Sequence, residues 1–155
     1  MIHRIHLQDV QQAKQLLEVQ RAAYFVEAEL IGSFAIPALH EDLQALQRCD
    51  ETFYGYWVNE RLVGAISYKK ASELLDIHRL VVHPASFRRG IGKALVQFVE
   101  HAEEDMERVI VSTGTKNLPA KQLYTQLGFV EVGEKEVIPG LFITLFEKKR
   151  FSKAS

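Results

Sequence analysis

The chain has 155 residues, 25% of them charged, with a formal net charge of −1 and a single cysteine, Cys49. That length suits one domain with one substantial core, and so small a net charge argues against binding nucleic acid through bulk electrostatics. One cysteine excludes an intrachain disulfide and any cysteine-rich metal site, and no apolar run is long enough to span a membrane.

The N-terminus, MIHRIHLQDV, has no apolar stretch followed by a small-residue cleavage site, so a cytoplasmic location is the expectation. Residues 2–7 form a short candidate strand. Asp9 then stands at an N-cap position before a helix over 10–30, with Val10, Ala13, Leu16, Leu17 and Ala23 on its apolar stripe. Gly32 and Ser33 break it, and Pro37 opens a second, shorter helix to about residue 47. Strand-like runs at 52–58 and 62–68 flank Val58-Asn59-Glu60-Arg61, which reads as a tight hairpin, and 73–82 continues the meander.

From Gly90 the period becomes helical. Ile91, Leu95, Phe98, Val99, Ala102 and Met106 make one apolar face, with Lys93, Gln97, Glu100 and Glu104 on the other. Residues 109–112 read as a brief buried strand and 113–118 as a polar loop. Pro119 opens a helix that ends at Gly128. Runs at 129–137 and 141–147, joined around Pro139-Gly140, are two further strands. Lys148, Lys149, Arg150 and Lys153 read as a basic, solvated end, so 1–150 is expected to be a single domain and 151–155 a short tail. The order β, α, α, β, β, β, α, β, α, β, β predicts an α/β (α+β) fold. Its sheet is mixed, mainly antiparallel and of about seven strands, with helices on both faces.

Residues 74–94, LLDIHRLVVHPASFRRGIGKA, run from strand through turn to helix. That order aims backbone N–H groups and the positive end of a helix at one point, a site for phosphate oxygens. Arg88 and Arg89 add charge, and Gly90 and Gly92 let a ligand approach the backbone closely. A dinucleotide fingerprint needs a third glycine where Leu95 stands. A Walker A loop needs glycine where Phe87 stands and Ser or Thr where Ala94 stands. Both nucleotide motifs fail.

Taken with its flanks, the stretch fits something else. Val81-Val82-His83-Pro84, then five residues, then Gly90-Ile91-Gly92-Lys93-Ala94-Leu95 resembles the acetyl-CoA-binding motif of the GNAT superfamily of N-acetyltransferases. Asn117-Leu118-Pro119-Ala120, Leu123-Tyr124 and Leu127-Gly128-Phe129 resemble that family's second motif. The likeness covers the strand order of essentially the whole chain. It departs at Phe87, where the family commonly has Gln or Arg.

The resemblance implies a GNAT-like acyl-CoA N-acyltransferase fold with acetyl-CoA as co-substrate and no metal. It implies transfer to a primary amine by direct attack in a ternary complex. Arg88, Arg89, Gly90, Ile91, Gly92 and Lys93 would hold pyrophosphate, and Leu80, Val81 and Val82 would pair with the pantetheine arm. Asn117 and Lys121 would contact the cofactor. Tyr124 would protonate the leaving thiolate, although it also lies on a core-facing stripe with Ala120, Leu123 and Leu127. For the base, strand alternation places Asp76 and His78 on one face with Leu80 and Val82. His78 would act directly and Asp76 through water. His83 reads as structural.

Glu27, Glu29, Glu41 and Asp42 make the acceptor region acidic, either as a solvated helix face or as a place for a cationic amine. Tyr24, Phe25, Phe34 and Trp57 line a pocket or belong to the core. Two alternatives stay open: a non-catalytic acyl-CoA-binding sensor, and a protein N-terminus or lysine as acceptor in place of a small amine. A homodimer is compatible with either, and neither nucleic acid nor membrane is an expected partner.

Overall fold

The computed structural model describes residues 1–150, so the tail at 151–155, with Lys153, lies outside the described residues. Its strands are β1 (Ile2–Arg4), β2 (Thr52–Val58), β3 (Arg61–Ala71), β4 (Leu74–Val82), β5 (Arg108–Gly114), β6 (Val130–Ile138) and β7 (Leu141–Lys149). The helices are α1 (Val10–Ile31), α2 (Leu43–Arg48), α3 (Ile91–Ala102) and α4 (Leu118–Gln126), with short 3₁₀ turns at Pro37–His40 and Pro84–Ser86. The strands form one seven-stranded sheet in the order β1-β2-β3-β4-β5-β7-β6. Among the described residues, only β4 and β5 pair in parallel.

Local chemistry sets most of the boundaries. The Asp9 carboxylate accepts from the N–H groups of Gln11 and Gln12 to start α1, and Gly32, at φ 75°, ends it. Asn59 and Glu60 both have positive φ, 51° and 65°, as a two-residue turn between β2 and β3 requires. Asn117 caps α4 by accepting from Ala120 N–H at 3.2 Å.

The expected helix from Pro37 to about residue 47 is two pieces. Asp42 is extended and accepts from Ala45 N–H at 2.8 Å, so it caps a new helix rather than continuing the old turn. Glu41 is extended too.

Apolar layers cover both faces of the sheet. On one side Leu75, Ile77, Leu95, Val99 and Phe146 pack with α3 and α4; on the other Leu16, Leu46, Phe53, Ala65 and Val81 pack with α1 and α2. The reading of Lys148 and Arg150 as solvated is corrected. Lys148 pairs with Glu100, a buried residue of α3 that the helical pattern had placed on the polar face. The Arg150 guanidinium donates to the carbonyls of Glu100, Glu103 and Met106 and so closes the C-terminus of α3. Among the described residues no helix is long and apolar enough to cross a membrane.

Candidate active site

The site begins where a parallel pair fails. β4 and β5 are in register only from Leu74, Leu75 and Asp76 to Arg108, Val109 and Ile110. Beyond that β4 stays on β3 and β5 stays on β7. The strands therefore diverge, and the β5-facing backbone groups of β4 from Ile77 onward have no ladder partner. A cavity of about 730 Å³ occupies the gap, bounded by α1, β4, the turn before α3, β5 and α4.

One end is the turn into α3. Arg88 and Gly90 both adopt left-handed backbone, at φ 67° and 74°. Gly90 caps α3 with no side-chain bond, which leaves the first N–H groups of the helix free to meet an anion. Arg88, Gly90, Ile91, Gly92 and Lys93 line the cavity, as does Phe87. Arg89 is exposed and does not. His83 Nδ1 accepts from Ala85 N–H at 3.1 Å, the structural role expected of it.

The approach of α3 to the sheet depends on Gly64. A Cβ there would lie 2.8 Å from Ile91 Cγ2 and 3.2 Å from the Val81 carbonyl oxygen.

The middle of the cavity is polar. Tyr124 is 4% exposed, its ring packed at 5.7 Å from Phe129 and 5.5 Å from Phe146. Burial, with a smaller contribution from the Glu27 charge, pushes its hydroxyl pKa far up. Tyr24 is pushed up likewise, by burial first and then by Glu27. Burial also raises Glu27 above the usual carboxylate range, against hydrogen bonds from the Asn117 side chain, Gly114 N–H and Thr113. Thr113 Oγ1 donates to Glu27 Oε1 at 3.5 Å. Asn117 thus caps α4 through its side-chain oxygen while lining the cavity beside Glu27.

The expected facing of β4 is half right. Arg79 pairs with Ser67 and Ile77 with Tyr68, so His78 is an extra residue in a β-bulge. The bulge reverses the alternation. Asp76 and His78 share a side, with His78 Nε2 3.2 Å from Asp76 Oδ2, but Leu80 and Val82 lie on the other side with the α3 layer. His78, Leu80, Val81, Val82 and Asn117 line the cavity, whereas Asp76 and Lys121 do not; Lys121 pairs with Glu131 at 3.3 Å. His78 Nδ1 faces Glu51 Oε2 at 3.7 Å, so both ring nitrogens look at carboxylates.

The bulge also turns in Arg79, which the sequence reading passed over. Its guanidinium binds Glu41 Oε1 at 2.6 Å, Glu51 Oε1 at 3.0 Å and Gln20 Oε1 at 2.8 Å, and lies 5.4 Å over the Phe53 ring. Burial pushes the Glu51 carboxyl up, but the bonds from Ser67 and Arg79 outweigh it and hold it below its ordinary range. The only hint in the sequence was a charged residue inside an apolar strand. Of the aromatics near the acceptor side, Tyr24 lines the cavity, Phe25 packs on Phe34 at 5.4 Å with both exposed, and Trp57 stacks on His3 at 3.9 Å.

Comparison with known proteins points the same way. The chain is 44% identical over 146 residues, 94% of its length, to the UPF0157 protein YqkA of Bacillus subtilis. It is 33% identical over 104 residues, 61% of its length, to an uncharacterized N-acetyltransferase of Methanocaldococcus jannaschii. It spans less than half of each of these longer relatives, 43% and 45%. The fold is shared with the PaiA N-acetyltransferase of Thermoplasma acidophilum, solved in complex with coenzyme A. The TM-score is 0.76 at 19% identity, covering 97% of this chain and 99% of that one. The model of the acetyltransferase (GNAT) family matches residues 13–129, and the chain belongs to that family.

Proposed function

We propose that the protein is an acetyl-CoA-dependent N-acetyltransferase that moves the acetyl group to a primary amine by direct attack in a ternary complex. The observation that carries this reading is the divergence of β4 from β5 directly beside the free N-terminus of α3, with Tyr124 in the gap.

The residues fit the co-substrate part by part. The first N–H groups of α3, with Arg88 and Lys93, suit a pyrophosphate. The open backbone of Leu80 to Val82 suits the amides of a pantetheine arm. A β4 N–H polarises the thioester carbonyl, and its contact strengthens as charge develops on oxygen.

The amine's lone pair forms the C–N bond, the C–S bond breaks with its electrons on sulfur, and Tyr124 supplies a proton to the thiolate. With its pKa far above neutrality, Tyr124 holds that proton until the thiolate appears. His78, oriented by Asp76, stands at the exposed edge of the cavity, where a proton given up inside it can reach solvent. The test is thiol release from acetyl-CoA with a panel of polyamines, aminoglycosides, amino acids and peptides. Amine-dependent release supports transfer; acetyl-CoA binding without release to any amine supports a sensor.

A further inference from the structure

Glu27 is the only carboxylate among the described residues that line the cavity. From α1 it shares the wall with Ala23, Tyr24, Val26 and Leu30, while Glu29 does not line the cavity. Thr113 of β5 donates to it, and Tyr24 and Tyr124 both sense its charge. It therefore lies on the α1 side of the cavity, within the electrostatic reach of the hydroxyl expected to serve the leaving group.

The cations are disposed differently. Arg88 and Lys93 belong to the phosphate end, and Arg79, which lines the cavity from β4, is already bound to Glu41, Glu51 and Gln20. A carboxylate entering beside the amine would meet Glu27 and, among the described residues that line the cavity, find no unpaired arginine or lysine outside the phosphate end.

We propose that Glu27 seats and deprotonates the acceptor's ammonium, and that the acceptor is a primary amine with no carboxylate next to it. This rests on the transferase reading above and names the acceptor class and the base for it. The ammonium gives one proton to Glu27, which releases it to solvent by way of the cavity mouth. The free amine attacks the thioester carbon. As the C–S bond breaks, Tyr124 protonates sulfur and is reprotonated from the nitrogen of the adduct, so one proton leaves per turnover.

The groups facing Glu27 do not compete for this task. Tyr24 and Tyr124 stay neutral because burial raises both, Thr113 and Asn117 do not titrate, both ring nitrogens of His78 face the carboxylates of Asp76 and Glu51, and Arg79 is bound to Glu41, Glu51 and Gln20. Burial of Glu27 brings its proton affinity closer to that of an amine.

The experiment measures CoA release with three matched pairs, each amino acid against the amine left when its carboxyl group is removed. The pairs are phenylalanine and phenethylamine, norvaline and butylamine, lysine and cadaverine. Wild type should prefer the amines by roughly tenfold or more in kcat/KM. E27Q keeps the shape and most of the hydrogen bonds. It should lose about 100-fold with the amines and lose the acid limb of the kcat/KM profile, while its acetyl-CoA Kd stays put.

Equal or better use of the amino acids by wild type overturns the acceptor class, and this arm stands even where E27Q does not fold. An E27Q with wild-type kcat/KM and an unchanged acid limb overturns the role of Glu27 while leaving transfer intact. A wild type that binds acetyl-CoA yet releases CoA to none of the amines overturns the transferase reading itself.

Discussion

At the residue scale, Tyr124 and Arg79 separate chemistry from architecture. The Tyr124 ring packs on Phe129 and Phe146, and a phenylalanine would keep both contacts. Y124F should therefore bind acetyl-CoA normally and lose about 10²–10⁴-fold in kcat. Titration calorimetry and single-turnover thiol release read the two quantities; an unchanged kcat removes Tyr124 as the acid. Arg79 is the opposite case. R79M would leave Glu41 and Glu51 half-buried without their cation, a loss of about 3–5 kcal/mol in urea unfolding. The variant should also change the acid side of the stability curve. Glu51 has a native pKa below its unfolded value, so its contribution is complete above the ordinary glutamate pKa and drains away as pH falls through the lowered native one. Wild type should lose stability steeply over that window and R79M should lose less. Parallel slopes for the two proteins would break the link between Arg79 and Glu51.

At the scale of elements, the phosphate end depends on how closely α3 approaches β3, which Gly64 permits. G64A places a methyl group 2.8 Å from Ile91 Cγ2 and 3.2 Å from a backbone oxygen, and neither contact is the loose end of a flexible side chain. The first turn of α3 must shift outward, at a cost of about 1–3 kcal/mol. Acetyl-CoA affinity should fall with it, because the displaced N–H groups are those offered to phosphate; retained affinity in a destabilised G64A would mean that the turn holds its shape independently. The strand, turn and helix of this region were legible because hydrophobic period, glycine placement and chain order agree. The bulge at His78 was not, since an extra residue leaves the sequence looking like ordinary alternation. It reversed the face assigned to Leu80 and Val82 and hid Arg79. Glu27 was legible only as one of four acidic residues on the acceptor side, with nothing to set it apart from a solvated helix face. A helical carboxylate looks solvated until the chain returns, and Thr113, which donates to it, is 86 residues away.

For the whole molecule, the weak seam is the one that matters. The block β1-β2-β3-β4 and the block β5-β7-β6 meet through only the short register from Leu74 to Asp76, and then part around the cavity. Elsewhere, apart from the three-residue β1, the strands are held by long antiparallel ladders. The sheet thus behaves as two well-tied halves with a wedge between them, and a ligand whose amides bond to β4 supplies the pairing that β5 does not. Native-state hydrogen exchange should show this directly, because exchange reports local opening segment by segment. On adding acetyl-CoA, amides of β4 beyond Asp76 and of the first turn of α3 should gain the largest protection. The β2–β3 ladder, already paired along nearly its whole length, should change little. Adenosine 3′,5′-bisphosphate, which carries phosphates and no pantetheine, should protect the turn into α3 and leave β4 as it was. The same protection of β4 by both ligands would mean that phosphate binding alone closes the wedge, and that the open edge of β4 is not where the pantetheine arm is held.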